Sequence, residues 1–385
     1  MVPKGWSKES LSGVTVVIDC KHRTPTYVES GIPLISPGTI KWGALDLISP
    51  VKRVSDDEYE SLMDHCTVDI GDLVMSRNQS IGIVSYVESN EPFVLGQDTV
   101  LIKPIKADGK FVFYKLQSEV VQRSIIQLAG GSTFSRINLA DIRKLKLNLP
   151  PLPEQKKIAK TLSTWDRAIS TAEQLLTNSQ KQKKALMQQL LTGKKRLLDK
   201  NGIIFCGEWK RGTLRDLGKV IKGKALSSKD LMDGNYPVIA GGKSSPYNHK
   251  EFTHENVITV SASGAYAGYV AYHPYKFWAS DCSVVTSKSR SDILFIYQLM
   301  SHMQLKIYSL QSGGAQPHIY PKDLEVLSVN IPPIEEQKKI SAVLSIADKE
   351  IAVLQQKLAA LKQEKKALMQ QLLTGKRRVK VEEAA

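Results

Sequence analysis

The twelve residues KKALMQQLLTGK occur twice, at 183–194 and again at 365–376. The match spreads outward from there. Residues 148–197 lie over 330–379 without a gap, and 27 of the 50 positions are identical. NLPPLPEQKKI faces NIPPIEEQKKI at the front of this segment, and LLTGKKRL faces LLTGKRRV at its end. Upstream the correspondence weakens but keeps its order. Trp6 and Leu11 answer to Trp209 and Leu214, GIPLISPG (31–38) to NYPVIAGG (235–242), RNQSIGIV (77–84) to SGAYAGYV (263–270), and GQDTVLI (96–102) to ASDCSVV (279–285). A chain of 385 residues is too long for one core, and a repeat this long is a duplicated domain pair, not a solenoid.

The strongly repeated parts have one reading. Ile158, Leu162, Trp165, Ile169, Ala172, Leu176, Ser179, Lys183, Leu186 and Leu190 follow one another at spacings of four and three without a break. Ile340, Leu344, Ala347, Ile351, Leu354, Leu358, Leu361, Lys365, Leu368 and Leu372 repeat the pattern. A sustained period of 3.5 predicts a coiled-coil seam, with Lys183 and Lys365 breaking it at equivalent points. Proline sets the start of each helix after its Pro-Pro pair, and Gly193 and Gly375 suit the left-handed cap at its end. Two similar halves tend to pack about a pseudo-two-fold axis, and an axis perpendicular to the helices makes the pair antiparallel. The less repeated parts carry β-branched runs such as GVTVVI, DLVM, IGIVSYV, FVFYKL, NVITVSAS and GYVAY between Gly, Pro, Asn and Asp, which predicts strands. The expected fold is mixed α/β, with two globular domains separated by two long helices. Its segments are a first variable domain at 1–147, a helical repeat at 148–202, a second variable domain at 203–329, and a C-terminal helical repeat with a basic tail at 330–385.

Charge narrows the partners. The net charge is +15, which favours a polyanion, nucleic acid before membrane. Residues 1–147 are neutral, whereas 148–202 carry a surplus of seven positive charges. Four scattered cysteines with no CxxC pair argue against a disulfide framework or zinc ribbon and fit a reducing compartment. No segment reaches the roughly 18 apolar residues of a membrane span, so the expected location is the cytoplasm.

Three motifs invite catalytic readings and fail them. GKVIKGKA (218–225) lacks the hydroxyl of a P-loop, since Ala225 stands in its place. NLPP and NIPP insert Leu149 and Ile331 into what would be an adenine methyltransferase motif, and no Gly-rich loop for S-adenosylmethionine accompanies them. The seven histidines show no metal-ligand spacing. No catalytic or metal site is expected.

Reading bases calls for Arg toward guanine and Asn or Gln toward adenine. Arg77, Asn78, Gln79 and Ser80 gather these types between two strand-like runs. Lys21, His22, Arg23, Ser135 and Arg136 are further candidates in the first variable domain. In the second, Lys222, Lys224, Lys243 and Ser244 suit phosphate. Ser261, Ser263 and Tyr266 take the place of residues 77–80, and Gln316 and His318 fall at the register of Phe134 and Arg136.

The paired PPLPEQKKIA…KKALMQQLLTGK and PPIEEQKKIS…KKALMQQLLTGK segments, alternating with two unlike domains, resemble the specificity subunit of type I restriction-modification systems over essentially the whole chain. The resemblance implies that each variable domain reads one half of a bipartite, asymmetric site on double-stranded DNA. It implies that the helices set the unread gap and dock two methyltransferase subunits, and that restriction subunits join that core. S-adenosylmethionine, ATP and Mg²⁺ then belong to the partner subunits, and this chain is not itself an enzyme. The competing reading from the residues is an adaptor whose coiled coil spaces two protein-binding heads.

Overall fold

The computed structural model describes residues 2–50, 52–130, 136–227, 229–242, 247–314 and 316–380. Two helices of 39 residues, Leu152–Leu190 and Ile334–Leu372, occupy equivalent positions in the repeat, each about 58 Å long at 1.5 Å per residue. Every seam position in both copies is buried or half-buried, while most of the residues between them are exposed. The helices end as the glycines require. Gly193 and Gly375 have φ of 73° and 71°, and the amides of Lys195 and Arg377 turn back to the carbonyls of Gln189 and Gln371.

The chain packs as two compact units, one of residues 1–171 with 358–385 and the other of residues 172–357. Each unit therefore holds a variable domain together with the start of one helix and the end of the other. The four segments read along the chain describe its order; the packing divides the helices between units. In the first unit Ile158 and Leu162 join the core beside Leu372 and Leu373. In the second, Ile340 and Leu344 join it beside Met187, Leu190 and Leu191. The identical twelve residues thus seat a helix end on each domain.

Both units show that the helix segments run antiparallel. Lys183 pairs with Asp348 at 2.5 Å in the second unit, and Lys365 pairs with Asp166 in the first. Each lysine of one copy meets the aspartate of the other, so one reciprocal contact is made twice. A second reciprocal pair closes the ends. Glu154 takes a two-pronged contact from Arg378 (2.6 and 2.7 Å), and Glu336 takes one from Arg196 (2.6 and 2.7 Å). Gln155 and Gln337 bind the carbonyls of Pro150 and Pro332 through Nε2 and accept the amides of Asp108 and Asp292 through Oε1. The Glu-Gln of each repeat is the joint between helix and domain.

The variable domains share a strand plan. In the first, Thr15–Asp19, Thr99–Pro104, Leu73–Ser76 and Val84–Tyr86 form one sheet in that order, with Gly43–Ala44 added at its edge. In the second, Gly218–Lys222, Cys282–Ser287, Val257–Ser261 and Val270–His273 repeat it. A three-stranded sheet with one parallel pair stands beside each, Leu34 aligned with Val94 and Val238 with Trp278. The helix Asp56–Met63 lies in the extra length of the first domain.

One expected strand is a helix. FVFYKL lies in Gly109–Gln117, and the Asp108 carboxylate caps it by accepting the Phe111 amide at 2.8 Å. Its residues 111–116 are all buried, Lys115 included, and a helix buried on every side shows no 3.6-residue stripe to separate it from a buried strand. Ile293–His302, capped in the same way by Asp292, is its counterpart.

Candidate DNA interface

The loop that follows Leu73–Ser76 carries the strongest group of sequence candidates. Its first member is a correction. Arg77, expected to face a groove edge, is buried, with its Nη1 donating to Asp19 Oδ1 at 2.7 Å and its Nε donating to the Ile137 carbonyl at 3.2 Å. Its guanidinium ties three segments together from inside. Asn78 follows, half-buried and bridged to Arg136 across an isolated antiparallel contact. Gln79 is exposed with φ of 55°, a left-handed conformation costly for a residue with a Cβ. Ser80 is half-buried, and its carbonyl accepts the Ile83 amide as the chain turns back.

Other candidates converge on this loop. Arg136 is exposed and pairs with Asp98 at 2.7 Å. His22 hydrogen-bonds Asp19, the partner of Arg77. Lys21 and Arg23 are held to the helix Asp56–Met63 and its C-cap, Lys21 through the Ser61 carbonyl and Asp64, both at 2.6 Å, and Arg23 through both oxygens of Glu58. Gln97 Nε2 donates to the Thr24 hydroxyl at 3.1 Å, which closes the cluster. Ser135 lies outside the described residues, as do Lys243 and Ser244 of the second domain.

The second domain rebuilds this loop with other side chains. Ser261, buried, ends Val257–Ser261 as Ser76 ends Leu73–Ser76, so it too faces inward and not toward a groove. Ala262 stands where Arg77 does, because the amide of Ile319 donates to its carbonyl at 3.0 Å just as Ile137 does to that of Arg77. Ser263 then bridges to His318 as Asn78 bridges to Arg136. Lys222, exposed, ends Gly218–Lys222 at the register of Asp19. The Arg77–Asp19 pair of the first domain is thus absent from the second at both positions. Tyr266 and Gln316 are exposed at the rim. Lys224 lies over the Trp278 ring at 5.1 Å, and its amide bonds the Ala279 carbonyl. Among the described residues no helix follows Gly223 directly, and a Cβ there would meet the Ser280 carbonyl at 2.3 Å, so GKVIKGKA serves strand packing.

Two residues at the centre of these faces were not singled out by sequence reasoning. Asp98 and Asp281 hold the loops from below, through bonds made with both backbone and side chain. Their one signal is that they fall together when GQDTVLI is laid over ASDCSVV.

Among the described residues one group, Asp19, Cys20 and His22, brings three possible metal-ligand atoms within 4.8 Å. Asp19 is committed to Arg77, and burial pushes the Cys20 thiol up, away from the thiolate that binds metal. The group reads as a hydrogen-bonded cluster. No helix among the described residues is long and apolar enough to cross a membrane.

Paired domains, each presenting an exposed polar loop cluster on a common strand frame and joined through reciprocal helices, define a duplicated recognition protein. The chain belongs to the family of the type I restriction modification DNA specificity domain, which it matches twice, over residues 3–178 and 207–363. A putative type I restriction enzyme specificity subunit, MjaX, from Methanocaldococcus jannaschii is 28% identical over 98% of this chain and 95% of its own length. The MjaIX specificity subunit of the same organism is 23% identical over the same shares. Among solved structures, an S subunit of a type I restriction-modification system from M. genitalium superposes with a TM-score of 0.69 at 18% identity, covering 96% of each chain. A chain from a structure of type I restriction-modification complex assembly and conformational transition gives 0.57 at 16% identity, over 98% of this chain and all of that one. These two show the shared fold.

Proposed function

We propose that this chain is the DNA-reading specificity subunit of a type I restriction-modification enzyme, without catalysis of its own. Each variable domain reads one half of an asymmetric bipartite site in double-stranded DNA. The helix pair sets the unread spacer and docks two methyltransferase subunits, on which restriction subunits assemble. S-adenosylmethionine serves the methyltransferase subunits, ATP and Mg²⁺ the translocating and cleaving subunits, and the assembly works in the cytoplasm. The observation that carries this reading is the contrast within the repeat. The helices and joints are kept the same between copies, while the loop faces differ side chain by side chain. Shared parts meet two identical partners; unlike faces meet unlike half-sites. An adaptor with two protein-binding heads would also carry a duplicated helix pair, but the family match and the basic surplus favour DNA.

The test is a genome-wide map of methylated adenines in cells with and without this chain. A bipartite motif that disappears on deletion and returns on complementation supports the reading. An unchanged methylation map alongside a folded, expressed chain rejects it.

A further inference from the structure

We propose that Asp98 and Asp281 are equivalent positioning residues, each holding the reading loop of its domain in register, and that base choice lies with the side chains they hold. This rests on the DNA-reading role proposed above. The Asp98 carbonyl accepts the Arg77 amide at 2.8 Å, and the Asp281 carbonyl accepts the Ala262 amide at 3.2 Å. The residue after that amide then reaches the carboxylate. Asn78 Nδ2 donates to Asp98 Oδ2 at 3.4 Å, and Ser263 Oγ donates to Asp281 Oδ2. On its other oxygen Asp98 takes Arg136. The bridges from Asn78 to Arg136 and from Ser263 to His318 follow in the same register. The next residue turns left-handed in both domains, Gln79 at φ 55° and Gly264 at φ 76°.

The acceptor is therefore constant while the side chains bonded to it differ, Asn78 and Arg136 on Asp98 against Ser263 on Asp281, and their neighbours at the same register differ too, Gln79 against Gly264 and Arg136 against His318. One carboxylate can hold amide, guanidinium or hydroxyl donors because it is acceptor-only. Asp98 is itself at φ 62°, a conformation that Asp and Asn reach more readily than other side chains. The exchange Asp98→Asn therefore keeps the backbone, removes the charge and turns one of the two acceptor oxygens into an NH2 donor, so that Asn78 and Arg136 cannot both be held.

The experiment uses the full chain co-expressed with its methyltransferase subunits, and reads the methylated motif together with thermal unfolding. Asp98→Asn is expected to blur one half-site, with about tenfold weaker discrimination at one or two base pairs, and to leave the other half-site intact. Asp281→Asn is expected to do the reverse. Paired exchanges of the supported side chains, Asn78→Ser with Arg136→His, are expected to shift the bases read in that half-site without blurring them. Two sharp half-sites in both Asp variants overturn the proposal. So does a fall in melting temperature with loss of both half-sites, which is the signature of a purely structural role. Absence of any sequence-specific methylation with the unaltered chain would instead reject the DNA-reading role beneath it.

Discussion

At the scale of single residues, the structure separates polar side chains that are turned inward from those left exposed. Arg77 is the sharpest case. Arg-Asn-Gln-Ser promises groove contacts, yet the arginine faces Asp19 and the Ile137 carbonyl. Arg77→Ala should lower stability by about 2 kcal/mol, less than for a fully buried pair because Asp19 keeps some access to water. A double-mutant cycle with Asp19→Ala in urea denaturation should return a coupling of about 1–2 kcal/mol; no coupling would refute the tie. In the second domain His273, buried against Thr259 and Tyr275, is pushed down to about 4 from the ordinary 6.5. The unfolded chain then binds a proton that the folded one refuses between those two values. Stability should fall as pH drops from 6.5 toward 4, by up to about 3 kcal/mol. Urea midpoints measured across that range for the unaltered chain and His273→Gln would check it, the variant showing the flatter profile.

At the scale of elements, the helix pair was legible because its physics is periodic. A 3.5-residue repeat announces a seam wherever it occurs, and every seam position from Ile158 to Leu372 is buried or half-buried. The charged joints at the helix ends carry no such period. Glu154 and Glu336 stand in runs of acidic, basic and amide residues that read equally well as a solvated surface, yet both are buried. Glu336 accepts three bonds, two from Arg196 and one from the Trp209 indole at 3.0 Å, whereas Glu154 accepts two from Arg378. Glu336→Ala should therefore cost more than Glu154→Ala, with the former about 2–3 kcal/mol, because the half-buried Arg196 guanidinium keeps only the Gly207 carbonyl and the Trp209 indole N–H loses its acceptor. Chemical denaturation of the two variants would show the order; equal midpoints would contradict it. FVFYKL shows the opposite weakness, a helix hidden from pattern reading because it is buried all round.

At the scale of the whole molecule, the excess charge and the duplication make one joint expectation. If the chain, assembled with the methyltransferase subunits proposed above, binds DNA through several phosphates, affinity should fall steeply with salt, the logarithmic slope changing by about −0.9 for each phosphate neutralised. Titration of a bipartite-site duplex at several salt concentrations would measure that slope, and a flat response would favour the protein-binding adaptor. Lys222→Ala should reduce the slope by about one if this exposed lysine meets a phosphate, without changing the methylated motif.

The sequence alone determined the duplication and the helix pair, because identity and period are one-dimensional quantities; the antiparallel sense is carried by the tertiary pairs Lys183–Asp348 and Lys365–Asp166. It also determined the family. Only the tertiary structure decided which polar residues face outward, since a loop side chain is turned in or out by partners far away in the chain. Asp19 is 58 residues from Arg77, and nothing local in either segment announces the other. The same holds for the two aspartates under the reading loops, whose common role appears only when both domains are built and their hydrogen bonds compared.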